Sequence, residues 1–183
     1  VATDLPPRCV RPRGVARVRV LAMDAPRFAV DRMLGRLARW LRVLGFDAAY
    51  RKELPGQRLL TLAAREDRIV VTRDARLRDP RGRARVVWIA SASFRDQLRE
   101  LDRVLPLGGV DARPTRCVEC NEQMVAMALA DVPDRVPEFV RATQTDFRCC
   151  PRCRRIFWPA THRRRMQTEI AALNLTPPGD AVA

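Results

Sequence analysis

Strands alternating with helices between Pro26 and residue 110 predict an α/β fold, a parallel sheet flanked by helices. Two CxxC pairs beyond it predict a small module held by a metal. Two observations carry the first expectation. The apolar runs Phe28-Ala29-Val30 and Ile69-Val70-Val71-Thr72 each lead straight into a charged residue, and between them apolar positions recur at helical spacing. A length of 183 residues accommodates one such domain with a satellite too small to bury a core by itself.

Residues 1–25 read as a basic N-terminal extension, with a weak edge strand from Val15 to Leu21. Arg27 to Val30 is the first strand of the domain at 26–110. From Arg32 to Leu44, Leu34, Leu37, Ala38, Leu41 and Leu44 form an apolar stripe, Arg32, Arg36, Arg39 and Arg42 point elsewhere, and Gly45 stops the helix. A strand at Ala48 to Tyr50, a loop at Leu54-Pro55-Gly56 and a helix from Arg58 to Glu66 follow. Ile69 to Thr72 is a buried strand, Arg85 to Ile89 another, and Phe94 to Leu105 a helix. Composition changes at Pro106-Leu107-Gly108-Gly109. Residues 111–173 make the cysteine module with a C-terminal helix, and 174–183 a flexible tail.

The chain carries 35 basic and 21 acidic residues, a net charge of +14, and Lys52 is its only lysine. A coding bias toward arginine explains the missing lysine but not the excess of base over acid, so a polyanion, RNA first, is the expected partner. No apolar run is long enough for a membrane span, and VATDLPPRCVRPRG has no signal-type core, which predicts a cytoplasmic protein without a membrane partner. Nothing indicates oligomeric state.

Cys117-Val-Glu-Cys120 and Cys150-Pro-Arg-Cys153 can aim four thiolates at one ion, a closed structural zinc site. Disulfides and an iron–sulfur centre are the alternatives. Cys149 could replace Cys150, but Cys150 preserves the spacing in both halves, and Cys9 has no role. Around the second pair lie Arg148, Arg152, Arg154, Arg155, His162, Arg163, Arg164 and Arg165. With Phe157 and Trp158 they could hold phosphates and stack a base, or Trp158 could simply pack against the module.

Asp31 and Asp74 follow two strands and fall at the same rim of a parallel sheet, where sites form. Each could be a helix N-cap. Together they could share Mg2+ or Mn2+ beside a phosphodiester.

The segment PRFAVDRMLGRLARWLRVLGFD from Pro26 to Asp47, Tyr50-Arg51, Ile69 to Asp74, Arg116-Cys117-Val118-Glu119-Cys120-Asn121, Phe147 to Trp158, Thr161-His162 and Met166 resemble the Mut7-C RNase domain family. The resemblance covers residues 26 to 170. It implies a PIN-like α/β domain with a C-terminal zinc ribbon, cleaving RNA with a divalent metal, and in many relatives a preceding ubiquitin-like domain. It makes Asp31 and Asp74 the metal-binding, catalytic acids, Arg73 a phosphate or structural partner, and Cys117, Cys120, Cys150 and Cys153 the zinc ligands.

Two departures bear on the chemistry. Relatives place acids in a pattern like Tyr-Asp-Asp-x-Glu-Leu where this chain has Leu54-Pro55-Gly56-Gln57-Arg58-Leu59, leaving Glu53 or Asp79 as substitutes. Trp158-Pro159-Ala160-Thr161-His162 replaces glycine and serine before the histidine. The expected function is a metal-dependent endoribonuclease. The alternative is a catalytically impaired RNA- or ribosome-binding zinc protein, with tRNA or ribosomal RNA as candidate partners. DNA binding and a protein adaptor are further readings.

Overall fold

Alternation along β1 (Phe28–Val30) and β3 (Ile69–Thr72) sorts the main core into two faces. Phe28, Val30, Ile69 and Val71 point into one cluster with Leu34, Leu37, Leu41, Leu98 and Leu101. Ala29 and Val70 point the other way, onto Leu59 and Ala63. The computed structural model describes residues 25–79, 82–108, 115–159 and 161–175, with only the backbone for 161–165. The strand expected at Val15 to Leu21, Cys9 and most of the expected tail lie outside these residues.

The remaining strands of this sheet are β2 (Ala48–Tyr50) and β4 (Val86–Trp88), and its order is β2-β1-β3-β4, all parallel. Helices α1 (Gly35–Val43) and α3 (Phe94–Val104) share the first core, and α2 (Gly56–Glu66) covers the other face. A parallel sheet needs both covers, because crossovers bury both faces. Phe28 meets Phe46 edge to face at 5.6 Å between ring centres. Each fully buried Leu or Phe here contributes roughly 1.5–3 kcal/mol.

The helix expected from Arg32 begins later. Residues Arg32–Leu34 form a 3-10 turn, closed by Leu34 N donating to Asp31 O at 2.9 Å, and α1 starts at Gly35; the Asp31 side chain caps neither. Helix α2 begins at Gly56, two residues ahead of expectation, behind an extended Pro55. Proline presets the entry φ without needing a donor.

Beyond α3 comes a second, antiparallel sheet in the order β5-β6-β7, formed by Val125–Met127, Phe147–Cys149 and Ile156–Phe157. Helix α4 (Glu138–Thr143) lies between the first two strands. Met127, Val132, Val136, Phe147 and Cys149 are its small core. Helix α5 (Thr161–Leu173) then returns to the first body, burying Leu173 in the main core and pairing Glu169 with Arg95 at 2.7 Å. Among the described residues no helix is long and apolar enough to cross a membrane.

Candidate nucleic-acid interface and metal centre

The chain leaves β1 for β2 on one side and reaches β3 on the other, so the crevice between the C-terminal ends of β1 and β3 is the topological switch point. Asp31 and Asp74 both stand there. Asp31 is 5% exposed, and its Oδ2 accepts a 2.7 Å hydrogen bond from Thr72 Oγ1. The same hydroxyl oxygen accepts the Asp74 amide at 3.0 Å. Thr72 thus links the two acids, a role its sequence position did not announce.

Asp74 also acts as a cap, accepting the Arg76 amide at 3.0 Å. The Arg76 guanidinium grips both carboxylate oxygens, at 2.9 and 2.7 Å. These side-chain and backbone hydrogen bonds, with the Arg76 charge, hold the Asp74 carboxyl down to about 2. Arg73 donates to the Ala90 carbonyl at 3.4 Å, while its buried Nε meets no acceptor among the described residues.

Mg2+ or Mn2+ prefers several oxygen ligands with charge to match its own. Here one oxygen of Asp31 is committed to Thr72 and both oxygens of Asp74 to Arg76. Among the described residues only the four cysteines form a group of three or more ligating side chains placed to share an ion. Glu53 and Asp79 are exposed and complete no acid cluster. Among the described residues two acids and no third stand at this crevice, fewer charged oxygen ligands than Mg2+ or Mn2+ prefers.

The cysteines fit zinc. Zn–S bonds of about 2.3 Å give a tetrahedron with edges of about 3.8 Å. Cys117 Sγ and Cys153 Sγ are 3.7 Å apart, and the four Sγ atoms of Cys117, Cys120, Cys150 and Cys153 lie within 4.8 Å of one another. Each CxxC closes the same turn. Asn121 N donates to Cys117 O at 2.9 Å and Arg154 N to Cys150 O at 2.8 Å. The Cys120 and Cys153 amides each donate to the first sulfur of their pair at 3.5 Å. Asn121 (φ 65°) and Arg154 (φ 59°) leave these turns left-handed. Asparagine adopts that region readily, whereas arginine does so at a cost of about 1 kcal/mol.

Burial, reinforced by neighbouring sulfurs, pushes the Cys120 thiol up to about 12 and also raises Cys117. At Cys153 burial acts upward too, but the Arg155 amide and the adjacent thiols outweigh it and lower the pKa. Metal binding would release these protons. Four sulfurs would leave no open position on a tetrahedral ion, which is the arrangement of a structural site. Cys149 is not among the four and lies fully buried in the core of the antiparallel sheet.

The arginines divide by environment. Arg32, Arg36, Arg39, Arg152, Arg154 and Arg155 are exposed, while Arg148 is half-buried and 3.6 Å from Asp146. Arg36 lies over the Phe94 ring at 3.8 Å. Arg39 binds Glu119 Oε1 at 2.7 Å, and Arg155 stands 3.7 Å from the same oxygen. Gly35, Arg36, Arg39 and Tyr50 line an open groove of about 500 Å³. A Cβ at Gly35 would stand 2.8 Å from Tyr50 Oη, so glycine permits this approach. Trp158 is half-buried and packs against the module core, 6.5 Å from Phe147 between ring centres. The side chains of His162, Arg163, Arg164 and Arg165 lie outside the described residues.

One expectation for the first helix fails. Arg42 does not share the solvent face with Arg32, Arg36 and Arg39. It is 5% exposed and donates to Ala48 O (3.0 Å), Val118 O (2.8 Å) and Glu119 O (2.9 Å), fastening α1 to the first CxxC turn. Burial lowers its pKa, opposed by the nearby sulfurs of Cys117 and Cys120 and by Glu119.

Asp47 completes the seam between the two sheets. It accepts Arg68 NH1 at 2.6 Å and Asn121 Nδ2 at 2.7 Å, and Asn121 Oδ1 in turn accepts the Ala48 amide at 3.0 Å. Burial works against its charge, but the hydrogen bonds from Arg68 and Asn121 and the charges of Arg68 and Arg116 prevail and depress its pKa.

Asp47→Asn is therefore expected to cost about 2 kcal/mol at neutral pH, since it leaves Arg68 without its closest anion. A depressed folded-state pKa gives stability that is present above the unfolded value of 3.8 and lost as pH falls through the lower folded one. The gap between wild type and variant, read by urea denaturation, should hold from pH 7 to about 4 and close below it. A gap that does not narrow as the pH falls below about 4 would refute this account.

Comparison with known proteins agrees with these features. No curated protein and no solved structure matches the chain. The Mut7-C RNAse domain family model matches residues 26–170, spanning the parallel sheet, the acid rim and the four cysteines, and on that match the chain belongs to the Mut7-C RNAse domain family.

Proposed function

We propose that this protein is an RNA-binding zinc protein of PIN-like architecture whose acid centre is too depleted for efficient hydrolysis. One observation carries the reading: at the switch point Arg76 holds both oxygens of Asp74, Asp31 is bonded to Thr72, and no third acid joins them among the described residues. The four-cysteine module acts as a zinc ribbon. Exposed Arg32, Arg36, Arg39, Arg152, Arg154 and Arg155, with Arg73, Arg148, Trp158 and the segment from His162 to Arg165, form the RNA surface. Guanidinium forks suit phosphate oxygens. RNA such as tRNA or ribosomal RNA is a fitting partner, and a cytoplasmic location agrees with it.

A second reading, a Mg2+- or Mn2+-dependent endoribonuclease, is favoured by the Thr72 link, which brings Asp31 and Asp74 to one crevice.

One preparation separates the two. Binding of fluorescent RNA should weaken with salt at about 0.7 log units per phosphate contact per log unit of salt. Hydrolysis with Mg2+ or Mn2+ should be absent or slow, and an acid at Gln57 or Arg58 should raise it. Efficient chelator-sensitive cleavage, lost in Asp31→Asn and Asp74→Asn while binding persists, would overturn the impaired reading and establish the nuclease.

A further inference from the structure

A cavity of about 540 Å³ opens on the cysteine module, lined by Arg135, Val136, Cys153, Arg154, Arg155, Ile156, Phe157 and Trp158. We propose that it is a subsite for one unpaired nucleobase of single-stranded RNA, with the flanking phosphates held by Arg135, Arg154 and Arg155. This deepens the RNA-binding reading and rests on it.

The lining dictates the class of ligand. Its floor is apolar and partly aromatic, with buried Val136 beside half-buried Ile156, Phe157 and Trp158. Its rim carries three exposed guanidiniums, and among the described residues no carboxylate lines it. A ligand that suits both is flat and apolar at one end and anionic at the other, as a nucleotide is. Bases stack on aromatic faces irrespective of sequence, and arginine adds phosphate forks.

Trp158 is locked by the module core rather than swinging in solvent, so little entropy is lost when a base meets it. Arg154 is fixed at the cavity edge by the left-handed turn that follows Cys153, and its carbonyl accepts Arg135 NH2 at 3.5 Å. Arg135 comes from the loop before α4, far from the second CxxC pair in sequence, so the subsite exists only in the folded module.

The cavity also has a direction. Arg155, on its rim, shares the Glu119 oxygen with Arg39, which lines the groove beside Gly35 and Tyr50. A strand whose base occupies the cavity can continue its backbone across Arg155 and Arg39 toward the rim of the parallel sheet. Double-stranded RNA, with its bases stacked inside, offers the cavity no free base.

The test uses the full zinc-loaded chain and three probes: a ten-nucleotide oligouridylate, the same strand with abasic positions, and a duplex of equal length. Wild type should bind the base-bearing strand about tenfold more tightly than the abasic one, because stacking contributes on the scale of a tenfold change per base. The duplex should show no such gain. Arg135→Ala and Arg154→Ala, both at exposed positions, should weaken the base-bearing strand severalfold. Trp158→Phe should keep part of the preference for bases and Trp158→Ala should lose it, with zinc content and circular dichroism confirming that each variant is folded. Equal binding of the base-bearing and abasic strands, or a preference unchanged by Trp158→Ala in a folded protein, would overturn the subsite and leave RNA binding standing. Failure to bind any of the three probes would overturn both.

Discussion

Chelation of zinc, or Cys117→Ser, is expected to unfold residues 115–159 while the β2-β1-β3-β4 sheet persists. The module buries Met127, Val132, Val136, Phe147 and Cys149 in one cluster and Cys117, Met124 and Cys150 in another, too little apolar mass to fix so much chain. A structural zinc site is worth about 10–16 kcal/mol of apparent binding free energy in small domains, and that energy is folding energy where no site exists in the unfolded chain. Purified protein should contain one zinc per chain. Cys150→Ala should lose it, whereas Cys149→Ala should keep it despite the cavity it leaves. The measurements are elemental analysis and hydrogen exchange followed peptide by peptide. Zinc retained by Cys150→Ala and lost by Cys149→Ala would exchange the roles of these neighbours and refute the assignment.

Arg42→Ala should be strongly damaging, costing about 3–5 kcal/mol. The loss leaves three acceptors, Ala48 O, Val118 O and Glu119 O, without their donor in a buried seam. Arg42→Lys should recover only part of this, because a lone ammonium cannot span carbonyls on both sides as the planar fork does. The positive charge also faces the sulfurs of Cys117 and Cys120. Arg42→Ala should therefore surrender zinc more readily to a competing chelator, and Arg42→Lys, which keeps the charge, less so. Urea denaturation showing less than about 1 kcal/mol of destabilisation in Arg42→Ala would contradict the seam's proposed importance.

How much of this was legible in the sequence depended on whether a residue's neighbours were local. The strands at Phe28 to Val30 and Ile69 to Thr72 declare themselves, since a fully buried parallel strand is a short apolar run. The cysteine spacing likewise specified four sulfurs that the fold brings together. Arg42 was misplaced because its charge outweighed its position. It follows Leu41 and stands four residues after Ala38, on the inward stripe, and that register was the available signal. Asp31 illustrates the opposite limit. As a sequence feature it is a plausible N-cap, and only the arrival of Thr72 from β3 diverts its carboxylate. Arg76 and Arg135 were invisible as site residues, one because it lies in a basic loop among many arginines, the other because its partners lie around residue 154.

Helix α5 gives the cysteine module an unusual mechanical position. The chain leaves the first body at α3 and rejoins it at Leu173, so the module is a loop whose two ends are anchored to the same surface. Docking against that surface is an intramolecular closure rather than an encounter, and it proceeds at the high local concentration that tethering confers. The seam formed by Arg42, Asp47 and Asn121 can therefore be small and polar and still re-form after each opening. A module hinged at only one end would need a far larger apolar contact to remain in place.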